Sequence, residues 1–161
     1  MTAEWLPVLT LLAALGSGVT AGVFFAFSAF VMRGLARLPG GEGMAAMQAI
    51  NLAAPRSAFL AVLLGTAAAS LVLVVVPWTG PWDGGAALLP AAGMLYLAGP
   101  FGVTVARSVP LNDALAAVER GSAPGDEAWR RYVARWTAWN HVRTVAALAS
   151  AAAYTLALHG G

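Results

Sequence analysis

The 161-residue sequence contains no cysteine and no lysine, and charged residues make up only 10% of it. The lack of cysteine excludes disulfides, iron–sulfur clusters and thiolate-bound zinc or haem. A net charge of +2 is too small to indicate a nucleic-acid partner. An ordinary soluble domain is roughly one quarter charged, so the charged fraction of this chain is unusually low. Hydrophobic residues make up 60% of the chain. The composition therefore predicts a protein that has the lipid bilayer as its solvent.

Four apolar segments are each long enough to cross ~30 Å of hydrocarbon, which takes about 20 helical residues. They cover about residues 5–32, 57–77, 86–106 and 138–158, and no Pro- or Ser-rich linker divides the chain. We therefore predict a single transmembrane domain, residues 1–161, with an all-α fold: an integral membrane four-helix bundle. Gly18 and Gly22 predict a close helix contact on the first span. Pro100 predicts a kink in the third.

The two long connections predict additional short helices. Residues 43–51 place methionines on an apolar face, and residues 110–119 and 126–137 also have helical patterns. Pro124 and Gly125 are expected to break the chain between the last two. We expect these short helices to lie along the membrane interface and to cap one end of the bundle.

The distribution of arginine predicts the orientation. All nine arginines border or lie within the connections between the first and second spans and between the third and fourth. The opposite side carries only Glu4, Asp83 and His159. The positive-inside rule then places the two arginine-rich loops in the cytoplasm and both termini outside, in a multi-pass protein of the cell inner membrane.

The segment Trp136-Thr-Ala-Trp-Asn-His-Val-Arg143 is the leading candidate site, because it places an imidazole, an amide and a guanidinium just before an uncharged run. Ionisable groups near the hydrocarbon of a membrane cost free energy, so those that are present usually have a function. His141 suits proton transfer near neutral pH. Trp136 alone is better explained as a membrane-interface anchor. A structural role for Asn140 and His141, bonding to neighbouring helices, is an equally good explanation.

The predicted topology brings other polar residues to the same end of the bundle. Asn51 and Asn112 are expected near His141, where four helix ends converge. Asp113 is explained as a helix cap or as an ion-pair partner of an arginine. The phenylalanines of the first span either face lipid and core or line a pocket for an aromatic ligand. One histidine is too little for a zinc site, and no cofactor-binding motif is present, so we predict no metal and no cofactor.

Four motifs together resemble the DUF1772, or anthrone oxygenase, family. They are Gly22-Val-Phe-Phe-Ala-Phe27, Met47-Gln-Ala-Ile-Asn51, Val109-Pro-Leu-Asn-Asp-Ala-Leu115 and Trp136-Thr-Ala-Trp-Asn-His-Val-Arg143, and they cover nearly the whole chain. This family consists of small four-span membrane proteins. Its fungal members oxidise anthrones to anthraquinones with dioxygen and without a recognised cofactor. The resemblance therefore implies a monooxygenase-type oxidoreductase that acts on an anthrone or a similar planar phenol or quinol.

This chemistry assigns hypothetical roles to the candidate residues. His141 would remove the substrate proton, and Asn140 or Asn112 would stabilise the enolate oxygen. Arg143 would add positive charge. The flat ring would be held by aromatic and amide side chains, namely Trp139, Phe24, Phe27 and Asn51.

A non-catalytic membrane protein that binds a lipid, a quinone or a partner helix is the alternative, and the sequence leaves a homo-oligomer open. A cavity that contains His141 would favour the enzyme. An Asn140–His141 pair fully bonded to other helices, with no cavity, would favour a structural role.

Overall fold

A computed structural model describes residues 5–39, 41–78, 84–121 and 123–160 and contains five helices, with no strand in these ranges. The helices are α1 (Trp5–Leu35), α2 (Glu42–Ala53), α3 (Ala58–Trp78), α4 (Ala86–Ala116) and α5 (Ala123–His159). The all-α prediction is confirmed. Glu4 and Asp83, which entered the charge argument, lie outside the described residues.

Three of the helices, α1, α3 and α4, are long and apolar enough to cross a membrane. Their outer surfaces expose large apolar side chains, among them Leu12, Leu15, Leu71 and Val75. Exposed apolar surface on this scale indicates a lipid environment. The second half of α5 carries the fourth apolar segment, whereas its first half carries two acidic residues, Asp126 and Glu127, and three arginines, Arg130, Arg131 and Arg135.

The four long helices form a ring of contacts in which α5 packs against α1 and α4, and α3 completes the ring between them. Small residues allow the close approaches. A Cβ atom on Gly16 would lie 2.0 Å from the Thr66 hydroxyl, and one on Gly99 would lie 2.2 Å from the Cβ of Ala146. A Cβ atom added to Gly18 or Gly22 would have no neighbouring atom within 4 Å. The close helix contact predicted for these two glycines is therefore wrong within this chain.

Buried hydroxyl groups link the helices across this ring. Thr20 of α1 and Tyr96 of α4 are 3.0 Å apart, and Tyr154 of α5 donates to Ser70 of α3 at 3.0 Å. Ser150 of α5 donates to the Ala92 carbonyl of α4 at 2.9 Å. Such bonds contribute about 0.6 kcal/mol each in membrane proteins, so close packing contributes more than any single bond.

The connections differ from the sequence prediction in one respect. The helix predicted at residues 43–51 is present within α2, with Met44 and Met47 buried. The other two short helices are not separate elements, because residues 109–116 continue α4 and residues 126–137 belong to α5. Pro124 lies in the first turn of α5, where its missing N–H needs no partner, and therefore does not break the helix.

Two of the helices contain π-helical turns. Phe27–Val31 of α1 and Leu97–Ser108 of α4 have this wider geometry, and Pro100 lies in the second stretch. Proline removes one backbone donor, and a π turn is one way for a helix to accommodate that loss. The sequence located the distortion correctly, but the distorted stretch is longer than a local kink at Pro100.

A pair of glycine substitutions tests the helix packing. Gly99→Ala should lower the free energy of unfolding by about 1–3 kcal/mol, because the added methyl group overlaps Ala146. Gly18→Ala adds the same methyl group where no atom lies within 4 Å and should leave stability unchanged or slightly raised. Denaturant titration in detergent measures both. Equal destabilisation by the two substitutions would contradict the packing described here.

Candidate functional site

The site is organised around Asn140, which is completely buried in α5. Its Nδ2 donates to the Phe24 carbonyl and to the Ser28 hydroxyl of α1, both at 2.6 Å. Its Oδ1 accepts a 2.7 Å hydrogen bond from Nη2 of Arg143, one turn further along α5. Both donors and the acceptor of this amide are therefore used inside the protein, and they fix α1 against α5.

Arg143 is only 4% exposed although it carries a charge. Its Nη1 donates to the Thr104 hydroxyl of α4 at 3.1 Å. The guanidinium carbon lies 4.1 Å from the centre of the Phe24 ring and 5.0 Å from that of Trp136, both suitable for cation–π attraction. No carboxylate of the described residues lies within ion-pair distance. Neutral oxygens and aromatic faces alone stabilise this buried charge, which leaves it able to attract an anion.

A cavity of about 210 Å³ lies beside this guanidinium. All five helices contribute to its lining, and most of the lining is aromatic or aliphatic, including Phe24, Phe27, Phe59, Leu60 and Met47. The volume is somewhat below the roughly 300–1,000 Å³ of sites for drug-sized ligands. Its size and apolar walls suit a compact, flat, lipophilic molecule.

Four residues that line the cavity each have a buried polar atom without a hydrogen-bond partner. These atoms are Asn51 Nδ2, Ser108 Oγ, Trp136 Nε1 and Arg143 Nε. Each of them can donate a hydrogen bond, and an unmet buried donor costs about 1–3 kcal/mol. A ligand that reached these atoms would satisfy them with oxygen acceptors, and the charge of Arg143 would favour an anionic oxygen.

Tyr132 contacts two residues that line this cavity, Asn112 and Trp136. Its hydroxyl donates to Asn112 Oδ1 at 2.8 Å. Burial raises the pKa of Tyr132, and the neighbouring Asn51 amide and Arg143 charge oppose this rise only in part. The phenol therefore stays protonated at neutral pH and keeps the Asn112 oxygen occupied, so the Asn112 NH₂ group is the part left for other contacts.

Five of the candidate residues do line the same cavity: Phe24, Phe27, Asn51, Asn112 and Arg143. Phe25 and Phe30, in contrast, are 60% and 64% exposed, so the side of α1 that faces the cavity differs from its outer side. Asp113 is exposed and lines an adjoining cavity with Asn112 and Arg120.

Three other candidates lie outside the cavity. Asn140 is behind it, and its hydrogen bonds orient Arg143. Trp139 is half-buried and stacks with Arg107, whose guanidinium carbon lies 5.0 Å from the indole centre. His141 is exposed and lines a separate cavity with Arg33 and Thr137. The structure thus brings the guanidinium and the amides together but not the imidazole.

Among the cavity residues that carry a polar side-chain atom, three were not sequence-based candidates: Trp136, Thr104 and Ser108. Trp136, interpreted as an interface anchor, is only 6% exposed and lines the cavity, with its ring centre 5.6 Å from that of Phe27. Thr104 and Ser108 also line it. Thr104, Ser108 and Asn112 are spaced four residues apart and therefore share one helix face. This spacing could have indicated Thr104 and Ser108 as site residues from the sequence.

These features define a class of protein: a multi-pass helical membrane protein with a lipophilic cavity beside a buried arginine. The sequence model of the anthrone oxygenase family matches residues 47–153, more than half of the chain, and the protein belongs to this family. The match includes Asn51, Asn112, Trp136 and Arg143, whereas Phe24 and the rest of α1 precede it. Searches of curated proteins and of solved structures found no match.

Replacement of Asn140 tests the polar network. Asn140→Ala removes the partner of Arg143 Nη2 and of the Ser28 hydroxyl, so the free energy of unfolding should fall by about 3 kcal/mol. Thr155→Ala, which removes an exposed hydroxyl bonded to its own helix, should change it by less than about 0.5 kcal/mol. Denaturation in detergent provides the comparison. An Asn140→Ala protein as stable as the control would rule out the network as a structural element.

Proposed function

We propose that this protein is a membrane-embedded oxygenase that binds an anthrone, or a similar planar phenol, as its enolate beside Arg143. The observation that carries the proposal is the buried guanidinium, which has no carboxylate partner among the described residues and lies next to a cavity whose unmet polar atoms can all donate hydrogen bonds. An enolate oxygen would accept these hydrogen bonds and balance the charge. The flat rings would lie among Phe24, Phe27 and Trp136.

The charge of Arg143 would favour ionisation of the substrate. An oxyanion about 4 Å from a guanidinium gains roughly 4 kcal/mol at an effective dielectric constant of about 20. That energy corresponds to a pKa lowered by about three units for the bound substrate. The carbanion form, which reacts with dioxygen, would then be populated at neutral pH.

The proposed reaction converts a ring CH₂ group into a carbonyl group. Loss of one proton leaves an electron pair that is delocalised onto the enolate oxygen. The carbon then bonds to dioxygen, and protonation gives a hydroperoxide. Loss of the second C–H proton and cleavage of the O–O bond release water and leave the new C=O bond. One oxygen atom enters the product and the other enters water, so the balance requires no cofactor.

The first proton acceptor in this scheme is water. No carboxylate or imidazole of the described residues lines the cavity, and His141 lies outside it. Stabilisation of the anion by Arg143 and the donor groups then replaces a strong base as the main catalytic effect. Asn140 acts as a positioning residue, because it reaches the substrate only through Arg143.

The membrane arrangement that we propose has four spans, with residues 138–158 of α5 as the fourth, and so forms a four-helix bundle. The arginine-rich connections would face the cytoplasm and both termini the outside of the inner membrane. α2 and the first half of α5 would lie at the cytoplasmic interface. A lipophilic substrate would then reach the cavity from the bilayer.

A quinone-binding protein without catalytic activity is the second candidate. The same donors, Asn51 Nδ2, Ser108 Oγ and Trp136 Nε1, can bind a neutral quinone carbonyl. Formation of oxidised product by the purified protein distinguishes the enzyme from this alternative.

Arginine and histidine substitutions test the proposed site. Arg143→Gln should lower kcat/KM for anthrone oxidation by about 100-fold or more, because a preorganised charge at the developing anion is lost. Arg107→Gln, which changes an arginine stacked on Trp139 outside the cavity, should retain wild-type activity. His141→Ala should stay within about threefold of wild type. Oxygen uptake and chromatographic detection of the quinone measure the activity.

The outcome that contradicts the proposal is the reverse pattern, with Arg143→Gln active and His141→Ala inactive. Because Arg143 also bonds to Thr104 and Asn140, its variants need a stability control. Arg143→Lys retains the charge, so it should recover part of the activity lost in Arg143→Gln at similar thermal stability. Lack of any product from well-folded wild-type protein would favour the binding protein.

A further inference from the structure

A second cavity, of about 380 Å³, lies between α1 and α5 and shares no lining residue with the first. Its walls include the apolar side chains Met32, Val133 and Ala138. Its polar side chains include Arg33, Thr137 and His141. The oxidation scheme uses none of these three polar groups, so their presence in one cavity needs a separate explanation.

Thr137 is the unusual residue of this cavity. A threonine inside a helix normally donates its hydroxyl to the carbonyl four residues earlier. Thr10, Thr104, Thr144 and Thr155 all do so here. The Thr137 hydroxyl does not: it is buried and has no hydrogen-bond partner. An unmet buried hydroxyl costs about 1–3 kcal/mol, so a ligand that accepts this hydrogen bond would be favoured at this position.

The charges beside Thr137 indicate the kind of ligand. Arg33 projects from α1 and His141 from α5, both exposed and both on the cavity. No carboxylate of the described residues lines it. Arg33 directly follows the long apolar stretch of α1, and His141 lies three residues before the uncharged run of α5, which begins at Thr144. This is the level at which arginine side chains of membrane proteins reach lipid headgroups.

We propose that this cavity binds the phosphate group of an anionic membrane lipid. Arg33 and His141 flank the phosphate, and the Thr137 hydroxyl donates to one of its oxygens. Met32, Val133 and Ala138 contact the apolar part of the lipid next to the headgroup. Free inorganic phosphate shares the anionic chemistry, but it would leave these apolar walls without a partner. The site is independent of the oxygenase reaction.

Lipid retention by the purified protein tests this site. Wild-type protein in detergent is mixed with phosphatidylglycerol or with phosphatidylcholine of the same acyl chains, and native mass spectrometry measures the bound fraction. Phosphatidylglycerol should bind more tightly. Thr137→Val, which replaces the hydroxyl by a methyl group of similar shape, and Arg33→Gln should each weaken its binding by about fivefold, equivalent to about 1 kcal/mol.

Two control substitutions lie outside the cavity. Arg37→Gln removes an exposed arginine near Arg33, and Thr155→Val removes a hydroxyl bonded to its own helix. Both should bind phosphatidylglycerol like wild type. The proposal is overturned if the two lipids bind equally, or if well-folded Thr137→Val binds phosphatidylglycerol like wild type. Displacement of the lipid by millimolar inorganic phosphate would identify free phosphate as the ligand and overturn the lipid assignment.

Discussion

The guanidinium of Arg143 is buried among three helices, and no carboxylate in the described part of the chain pairs with it. The arrangement of α1, α4 and α5 depends on how this charge is stabilised. Asn140 accepts a hydrogen bond from Nη2 of this guanidinium and donates hydrogen bonds to the Phe24 carbonyl and the Ser28 hydroxyl of α1. Thr104 connects the same guanidinium to α4. Burial of a charge costs free energy unless hydrogen-bond partners surround it. The helices must therefore lie where they can supply these partners. The cavity lies beside this guanidinium and is lined by residues of all five helices.

The choice of arginine has a chemical reason. A guanidinium carries five N–H donors in a fixed plane, whereas a lysine ammonium is a point charge on a flexible stem. Arg143 uses Nη1 and Nη2 for the protein, and its Nε has no partner there. Its plane also lies over Phe24 and near Trp136, which line the same cavity. One side chain thus joins the structural network to the proposed substrate position, in agreement with an oxygenase-like membrane protein at the level of the family.

Hydropathy and helical spacing predicted the helices and about half of the candidate site, because both depend on local pattern. Phe24, Phe27, Asn51, Asn112 and Arg143 were correctly expected near one another. His141 was expected there because its imidazole suits proton transfer and because the predicted topology brings it to the same end of the bundle as Asn51 and Asn112. It points about 100° away from Asn140 around the helix and lines a separate cavity. Gly18 and Gly22 matched a packing motif, yet which face of α1 meets a partner depends on tertiary contacts such as Gly16 against Thr66. A tryptophan near the end of an apolar segment is typical of an interface anchor. Only the tertiary contacts of Trp136 with Phe27 and Tyr132 show that it is buried inside the protein.

The central claim is that the cavity beside Arg143 stabilises an anionic oxygen, and absorbance spectroscopy without dioxygen tests it most directly. An anthrone and its enolate differ in visible absorbance, so the ionisation state of the bound ligand can be titrated without turnover. The account predicts that wild-type protein lowers the ligand pKa by about three units, and that Arg143→Gln abolishes most of this shift. A ligand that binds in its neutral form, or an equal pKa shift in both proteins, would contradict it.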